Sequence, residues 1–310
     1  MTRTSLVGWA ALATLATAGV LTACSSPSAP PPPAATAGPP AAPTVDQLRS
    51  ATVTGVLEQP VVLAEGRFVG APSSPGGASA PSMTIWTQAV VVADIDGKPG
   101  DEAVALLSTN SGGSGEFVTL GVFALRDGKA VSIATAPVGD RVKLERMWVE
   151  RGEVYMDVVE AGPKEPACCP TQLSRKVFAM EGGALKEKSS KVVGVLSINQ
   201  LASIDWVLAN IDGQPVDQAT KPPTLLVQYG KVVGFDGCNR YTGPLKESSP
   251  GKISVGPLAA TRMACPEPSM QLADRFTARM NKVSGYTFLA GQLALTWDDK
   301  KEHGTLVFSK

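Results

Sequence analysis

Five cysteines and one histidine limit the chemistry available to this chain of 310 residues. The histidine, His303, follows a polar stretch typical of a solvated turn. One histidine cannot supply a histidine-rich zinc site and offers no convincing Ser-His-Asp relay. We therefore expect a protein that is not an enzyme and that uses no cofactor.

Two of the cysteines, Cys168 and Cys169, are adjacent and lie between two predicted strands. Adjacent cysteines can form a strained vicinal disulfide, which is unusually reducible and can act as a redox switch or bind a soft metal. Structural disulfide bonding is the favoured interpretation in an oxidising compartment. A thiol redox or soft-metal factor stays open as an alternative function.

An acidic segment, residues 94–102 (DIDGKPGDE), resembles the calcium loops of β-propeller repeats. Lys98 occupies a position where such loops place an oxygen ligand, and the segment has no second copy. We therefore interpret it as the polar connection of a β-hairpin. Metal binding by Asp94, Asp96 and Asp101 is the less favoured alternative.

The N-terminus has the order of a secretory signal, with Arg3 before an uncharged run over residues 6–23. The sequence Leu21-Thr22-Ala23-Cys24 resembles a bacterial lipobox. This resemblance implies cleavage after residues 1–23 and attachment of lipid, including palmitate, to Cys24. An uncleaved transmembrane helix is the alternative, because the apolar run approaches the length that spans a bilayer.

Residues 24–44 are rich in proline and alanine, which favours an extended tether between the lipid and the folded chain. We expect a location in the cell envelope, held to a membrane by lipid. Ser25 after the lipid site resembles the outer-membrane sorting signal of diderm bacteria, facing the periplasm. In another host the protein would lie on the outer face of the cytoplasmic membrane.

Charge gives little information about partners, because 28 basic and 28 acidic residues cancel. The sequence has no cluster of Lys and Arg and no basic-aromatic stripe, so we expect no nucleic-acid partner. Apart from the membrane, the expected partners are an envelope protein or a cell-wall component.

The secondary-structure signal is mostly β, and we expect an N-terminal antiparallel β meander over residues 45–191. Apolar and β-branched runs separated by Gly-containing turns support this prediction. The predicted strands are residues 88–93, 103–107, 117–125, 142–149 and 154–159.

An α+β domain is expected over residues 198–310, with one helix packed on a curved antiparallel sheet. Apolar residues recur at helical spacing within residues 269–283, which predicts an amphipathic helix. These residues are Met270, Ala273, Phe276, Met280 and Val283.

Two segments beside this helix carry a recognisable pattern: residues 232–243 (VVGFDGCNRYTG) and 257–266 (PLAATRMACP). Together with residues 205–213 they resemble the META domain family, which includes the HslJ heat-shock-inducible proteins. The resemblance implies a role in stress tolerance or envelope maintenance. The Asp-Gly turns and the Cys-Cys-Pro sequence resemble an uncharacterised N-terminal module of bacterial lipoproteins, which implies no activity.

Cys238 and Cys265 lie in these two segments, and a disulfide between them is one interpretation. A catalytic thiol is the other. With Cys24 lipidated, the four remaining cysteines can form two disulfides.

Asn239, Arg240, Tyr241 and Arg262 are the candidate ligand-binding residues. Arginine can bind carboxylate or phosphate through two hydrogen bonds, and tyrosine offers a stacking face. Hydrogen bonds that stabilise sharp turns are the alternative role for these side chains. A tethered sensor of a small ligand is therefore a third functional hypothesis.

Overall fold

The computed structural model describes residues 41–72, 79–113, 115–217 and 220–310. The predicted signal peptide, the lipidation site Cys24 and most of the linker lie outside the described residues. None of the helices that the structure describes has the length and apolar character needed to cross a bilayer. The expected fold class, mainly β with an α+β C-terminal region, is confirmed.

The N-terminal region contains a short helix, α1, and a seven-stranded sheet with the order β2-β1-β7-β6-β5-β4-β3. Neighbouring strands are antiparallel except β1 and β7, which are parallel. These elements are α1 (Val45–Leu48), β1 (Thr52–Val53), β2 (Val61–Val62), β3 (Arg67–Val69), β4 (Ser82–Ala93), β5 (Glu102–Asn110), β6 (Phe117–Arg126) and β7 (Lys129–Asp140).

A second sheet has four antiparallel strands in the order β11-β10-β9-β8. Its strands are β8 (Lys143–Glu150), β9 (Glu153–Glu160), β10 (Gln172–Glu181) and β11 (Ala184–Val195). The predicted meander is therefore divided between two sheets, and its last strand extends beyond residue 191. The chain changes sheet after Asp140, where Arg141 has a positive φ.

Tight hairpins connect the long strands of both sheets. Asp127-Gly128 and Arg151-Gly152 have positive φ at both positions. This conformation matches the right-handed twist of adjoining antiparallel strands, and glycine adopts it without steric cost. These are two of the Gly-containing turns that the sequence predicts between strands, and they lie between β6 and β7 and between β8 and β9.

Strand β5 lies at the centre of the N-terminal region and is buried on both faces. Successive side chains point to opposite faces of a strand. Val104 and Leu106 pack in the core shared with the four-stranded sheet. Ala103, Ala105 and Leu107 pack in a second core, which α1 and β1 help to cover.

The C-terminal region is a ten-stranded sheet with one long helix, α2. A short 3₁₀-helix, Ile198–Leu201, precedes it. The strands are β12 (Trp206–Ile211), β13 (Gln214–Pro215), β14 (Thr224–Gln228), β15 (Lys231–Phe235), β16 (Arg240–Ser249), β17 (Lys252–Val255), β18 (Ala259–Ala260), β19 (Val283–Leu289), β20 (Gln292–Asp298) and β21 (His303–Ser309), with α2 (Glu267–Met280) before β19.

This sheet curves until its two ends approach each other. The main path runs β17-β16-β15-β14-β12-β21-β20-β19, and β13 and β18 pair beside it. The amide of Tyr286 on β19 donates to the carbonyl of Gly251, in the turn before β17, at 3.0 Å. The expected curved antiparallel sheet is therefore present.

Helix α2 begins earlier and ends earlier than the sequence predicts. It begins at Glu267, and Pro268 occupies its first turn, where a missing N–H costs no hydrogen bond. Leu272, Ala273, Phe276 and Met280 are its buried residues. Val283, which we assigned to the helix, is instead the first residue of β19 and fills the same core.

The N-terminal and C-terminal regions share this last core. Val159 and Leu173 from the four-stranded sheet belong to the same hydrophobic cluster as Phe276 and Phe308. The amide of Gly291, between β19 and β20, also donates to the carbonyl of Leu144 on β8 at 3.0 Å. The four-stranded sheet is therefore joined to the C-terminal sheet by apolar packing and by main-chain hydrogen bonding.

The carboxylate of Asp157 connects three strands of the four-stranded sheet. It accepts from Arg146 Nε on β8 at 2.7 Å and from Arg175 Nε on β10 at 2.7 Å. Both guanidinium groups also lie over the ring of Trp148, at 4.7 and 5.2 Å from its centroid. Burial raises the pKa of Asp157, but the hydrogen bonds and charges of the two arginines outweigh burial and hold this pKa below its usual value.

We predict that Asp157→Asn lowers the free energy of unfolding at pH 7 by about 1.5–3 kcal/mol, the range for hydrogen bonds to a charged group. Because the pKa is lowered on folding, the Asp157 contribution is present above its unfolded-state value of 3.8 and is lost as the pH falls below it. Urea unfolding from pH 7 to pH 2.5 should therefore show a smaller loss of stability for Asp157→Asn than for the wild type. Asp46→Asn is the control, because that side chain is 91% exposed in its ion pair. Equal acid dependence in wild type and Asp157→Asn would contradict the prediction.

Candidate functional site

The turn between β15 and β16 is held by the buried carboxylate of Asp236. Its Oδ1 accepts from the backbone amides of Cys238 at 2.8 Å and Asn239 at 2.5 Å. The amide of Asp236 in turn donates to the carbonyl of Asn239 at 2.9 Å. Gly237 has a φ of +114°, a conformation that side chains disfavour. This turn therefore fixes the start of β16, which carries the candidate residues.

Residues 232–243 and 257–266, the two signature segments, are joined by a disulfide and by one amide side chain. Cys238 and Cys265 form a disulfide, which excludes a free catalytic thiol at either position. Asn239 Oδ1 accepts from the hydroxyl of Thr261 and from the amide of Met263, both at 2.8 Å. Asn239 therefore connects the segment before α2 to the turn. This is the turn-stabilising role that we gave as the alternative to ligand binding.

Tyr241 is a buried structural residue. Its hydroxyl donates to the carbonyl of Thr224 at 2.8 Å, and its ring centroid lies 5.5 Å from that of Phe276. Burial raises the pKa of Tyr241 well above its usual value, so the phenol stays protonated. Its ring does not offer the free stacking face that we considered.

Arg240 and Arg262 are both exposed, but they differ in position. Arg240 lines a cleft of about 600 Å³ at the start of β16, whereas Arg262 does not line it. Among the four candidate residues, the structure therefore leaves Arg240 as the one with an accessible charge in a concave site.

The cleft combines an apolar floor with charged residues. Leu226, Phe235 and Met263 are among its apolar lining residues. The ammonium of Lys221 lies 4.9 Å from the ring centroid of Phe235, and Asp205 also lines the cleft. Two cations and one anion give the lining a net positive charge. The one cysteine among its described lining residues, Cys238, is held in the disulfide with Cys265.

Three residues that line the cleft were not among the predicted site residues: Lys221, Phe235 and Met263. Phe235 and Met263 lie inside the two signature segments. Each is an apolar residue beside a polar turn, and this pattern could have marked them as lining a binding site. Lys221 lies in an irregular stretch between β13 and β14, and no local pattern marks it as a neighbour of Phe235.

A second cavity of about 460 Å³ lies between the seven-stranded sheet and the C-terminal sheet. It is lined by Trp86 and Phe288 and by the ion pair of Lys143 with Glu116, whose charged atoms are 3.3 Å apart. Because these two charges neutralise each other, this cavity is less suited than the cleft to binding a charged ligand.

The acidic segment between β4 and β5 is a hairpin connection, as we predicted. Its carboxylates accept from their own loop: Asp94 from the amide of Gly97 at 2.8 Å, Asp96 from the Lys98 ammonium at 2.6 Å, and Glu102 from the amide of Ile95 at 2.9 Å. Asp94, Asp96 and Glu102 lie close together, but Asp101, which we included, is not part of this group. Hydrogen bonds within this segment therefore account for Asp94, Asp96 and Glu102.

The structural disulfide bonding that we favoured for Cys168 and Cys169 is not formed in this structure. Both thiols are free and exposed, with their sulfur atoms 2.7 Å apart, whereas a disulfide holds them about 2.03–2.05 Å apart. His303, expected in a turn, is exposed and begins β21, where it pairs with Asp298 across the sheet.

Residues 199–310 match the META domain model. This range contains the curved sheet, α2, the disulfide and the cleft. This match and a relative that is 32% identical, of which the chain covers 69%, show that the chain belongs to the META domain family.

The chain is similar to the heat shock protein HslJ of Escherichia coli strain K12, with 32% identity over 97 residues, which cover 31% of this chain and 69% of HslJ. A protein structure determined by NMR is 28% identical and covers 37% of this chain and 94% of its own, with a TM-score of 0.31. An NMR structure of a protein from Burkholderia xenovorans is 29% identical and covers 40% and 96%, with a TM-score of 0.30.

Proposed function

We propose that the protein is a non-enzymatic envelope lipoprotein whose META domain supports stress tolerance by binding another envelope protein. The similarity to a heat shock protein supports the link to stress. The observation that carries the binding role is the cleft beside the Cys238–Cys265 disulfide. It lies on a rigid support, because the disulfide and Asn239 hold its two signature segments together.

The chemistry of the cleft indicates the kind of segment that it binds. Arg240 and Lys221 can pair with carboxylates, and Phe235 and Met263 offer apolar contact. A partner segment with acidic and apolar side chains fits this combination. Cell-wall material is the alternative occupant, and photo-crosslinking from the cleft distinguishes it from a protein.

We expect the double variant Lys221→Glu/Arg240→Glu to lose protection against heat or envelope stress, because the cleft would then repel an acidic segment. Survival of a deletion strain complemented with each variant measures this effect. Lys231→Glu/Lys246→Glu is the matched control, since both lysines are exposed in the same domain and line no part of the cleft. Equal survival with the two double variants would contradict a role for the cleft.

A photo-crosslinking residue at position 235 identifies the occupant. We expect a crosslink to a protein from position 235 and none from position 229, whose tyrosine is 95% exposed on the β14–β15 turn. A crosslink to peptidoglycan fragments from position 235 would assign the cleft to the cell wall instead.

Anchoring through Cys24 is the second part of the proposal, and it rests on the lipobox-like sequence and the proline-rich linker. We expect Cys24→Ser to abolish palmitate incorporation and to move the protein from the membrane fraction to the soluble fraction. Several acyl chains hold a protein firmly, because each buried methylene contributes about 0.8 kcal/mol. Unchanged labelling and fractionation would show that the chain is not a lipoprotein.

A further inference from the structure

The loop between β9 and β10, residues 161–171, presents two thiols side by side. Cys168 and Cys169 are both free and exposed, and their Sγ atoms are 2.7 Å apart. The two sulfur atoms are therefore in direct contact, so an oxidant that reacts with one thiol leaves the other beside it.

The loop is held by contacts that do not use the thiols. The Glu165 carboxylate accepts from the amides of Gly162 at 3.0 Å and Thr171 at 2.9 Å, and from the Thr171 hydroxyl. The amide of Cys169 donates to the carbonyl of Pro166 at 3.1 Å. Hydrogen bonds, first from the Thr171 hydroxyl and then from the amide of Gly162, lower the pKa of Glu165 to about 2. The carboxylate is therefore ionised near neutral pH, and the hydrogen bonds that it accepts involve neither thiol group.

The two thiols suit a reaction that uses both sulfur atoms. The hydrogen bond with Cys168 raises the pKa of Cys169, and the Lys252 ammonium acts in the opposite direction. Cys169 is thus not a strongly activated nucleophile of the kind found in single-cysteine enzymes. The adjacent thiol, however, makes a second step intramolecular, which gives it a high effective concentration.

We propose that Cys168 and Cys169 form a redox-reactive dithiol, which a low-molecular-weight disulfide oxidises reversibly to a vicinal disulfide. This site is independent of the cleft and of the proposed binding role.

The reaction is two thiol–disulfide exchanges. In the first, one cysteine thiolate attacks the small disulfide, forms a mixed disulfide and releases one small thiolate. In the second, the other cysteine thiolate attacks the protein sulfur of the mixed disulfide and releases the second small thiolate. The two cysteine protons end on the two released thiolates. The cysteines lose two electrons, and the small disulfide gains them.

Cys238–Cys265 provides an internal reference for this reaction. A disulfide between adjacent residues is strained and is therefore reduced more easily than an unstrained one. Cys238, in contrast, is buried and belongs to a disulfide that closes a loop of 27 residues. The two pairs should therefore respond differently to the same redox buffer.

The test equilibrates the full-length protein in buffers of increasing ratio of oxidised to reduced glutathione, alkylates free thiols and maps the peptides by mass spectrometry. We expect Cys168 and Cys169 to change from alkylated to linked within this series, while Cys238–Cys265 stays linked throughout. Alkylation of both adjacent cysteines in every buffer would overturn the proposal. Their linkage in every buffer, or opening together with Cys238–Cys265, would also overturn it.

Single variants test the second exchange. Cys168→Ser and Cys169→Ser should each accumulate a glutathione mixed disulfide on the remaining cysteine, because no second thiol can release it. The wild type should accumulate little of this adduct and should instead lose two hydrogen atoms in mass. As much adduct on the wild type as on the single variants would overturn the proposal. Urea unfolding midpoints equal to that of the wild type show that both variants are folded.

Discussion

Replacing Phe276 with alanine should lower the free energy of unfolding by about 3–5 kcal/mol, the range for removal of a buried aromatic side chain. Phe276 lies in the second half of α2 and is fully buried. Its ring centroid lies 5.5 Å from that of Tyr241 and 6.4 Å from that of Phe308, so it joins the helix to β16 and to β21. Alanine would leave a cavity at this junction, and the surrounding strands can fill it only in part.

Urea denaturation followed by tryptophan fluorescence measures this loss, because Trp206 and Trp297 lie in the same domain. Asp274→Ala is the matched control on the same helix, since Asp274 is exposed and alanine favours helix. We expect that control to change stability by less than about 0.5 kcal/mol. A loss below about 1 kcal/mol for Phe276→Ala would show that the core does not depend on this side chain.

Removing the disulfide with Cys238→Ala/Cys265→Ala should lower the free energy of unfolding by about 3.5 kcal/mol. This magnitude is the chain-entropy cost for a closed loop of this size. The disulfide also joins the two signature segments that border the cleft, so we expect the same variant to weaken binding there. The polar contacts of Asn239 remain and should keep part of the turn in place.

Reduction gives a second measurement of the same quantity. Dithiothreitol should lower the unfolding midpoint of the wild type and leave that of the double alanine variant unchanged. Cys168→Ala/Cys169→Ala is the control, because both side chains are exposed and unlinked. Equal midpoints for reduced and oxidised wild type would contradict a stabilising role for the Cys238–Cys265 disulfide.

The features that the sequence predicted well depend on residues close together in the chain. Asp127-Gly128 and Arg151-Gly152 form the expected turns, because the conformation required there is a local property of the two residues. The buried face of α2 follows from the helical spacing of its apolar residues. The first residue of the helix depends instead on Pro266 and Pro268, which this spacing does not include.

The candidate site was predicted less well, and β16 shows why. Its side chains alternate, so Tyr241, Gly243 and Leu245 are buried while Arg240 and Thr242 are exposed. This two-residue period was present in the sequence and would have separated the structural Tyr241 from the accessible Arg240. We treated Arg240 and Tyr241 as parts of one binding surface, but consecutive residues of a strand point to opposite faces of the sheet.

Other contacts could not be predicted from local pattern. Asp157 meets Arg146 and Arg175 only because β8, β9 and β10 are adjacent in one sheet. Likewise, Lys221 reaches the ring of Phe235 from an irregular segment whose path depends on the surrounding fold. Pairings of this kind require the register of the strands, and one sequence does not contain that information.

The core shared by the two regions has a consequence for how the chain behaves as a whole. Val159 and Leu173 belong to the N-terminal region, yet they fill the same cluster as the residues behind the cleft. Transfer of the META domain alone to another chain would therefore expose apolar surface that Val159 and Leu173 cover here. Loss of packing on β9 or β10 would be transmitted to the support of the cleft, so natural variation in the two regions should be coupled.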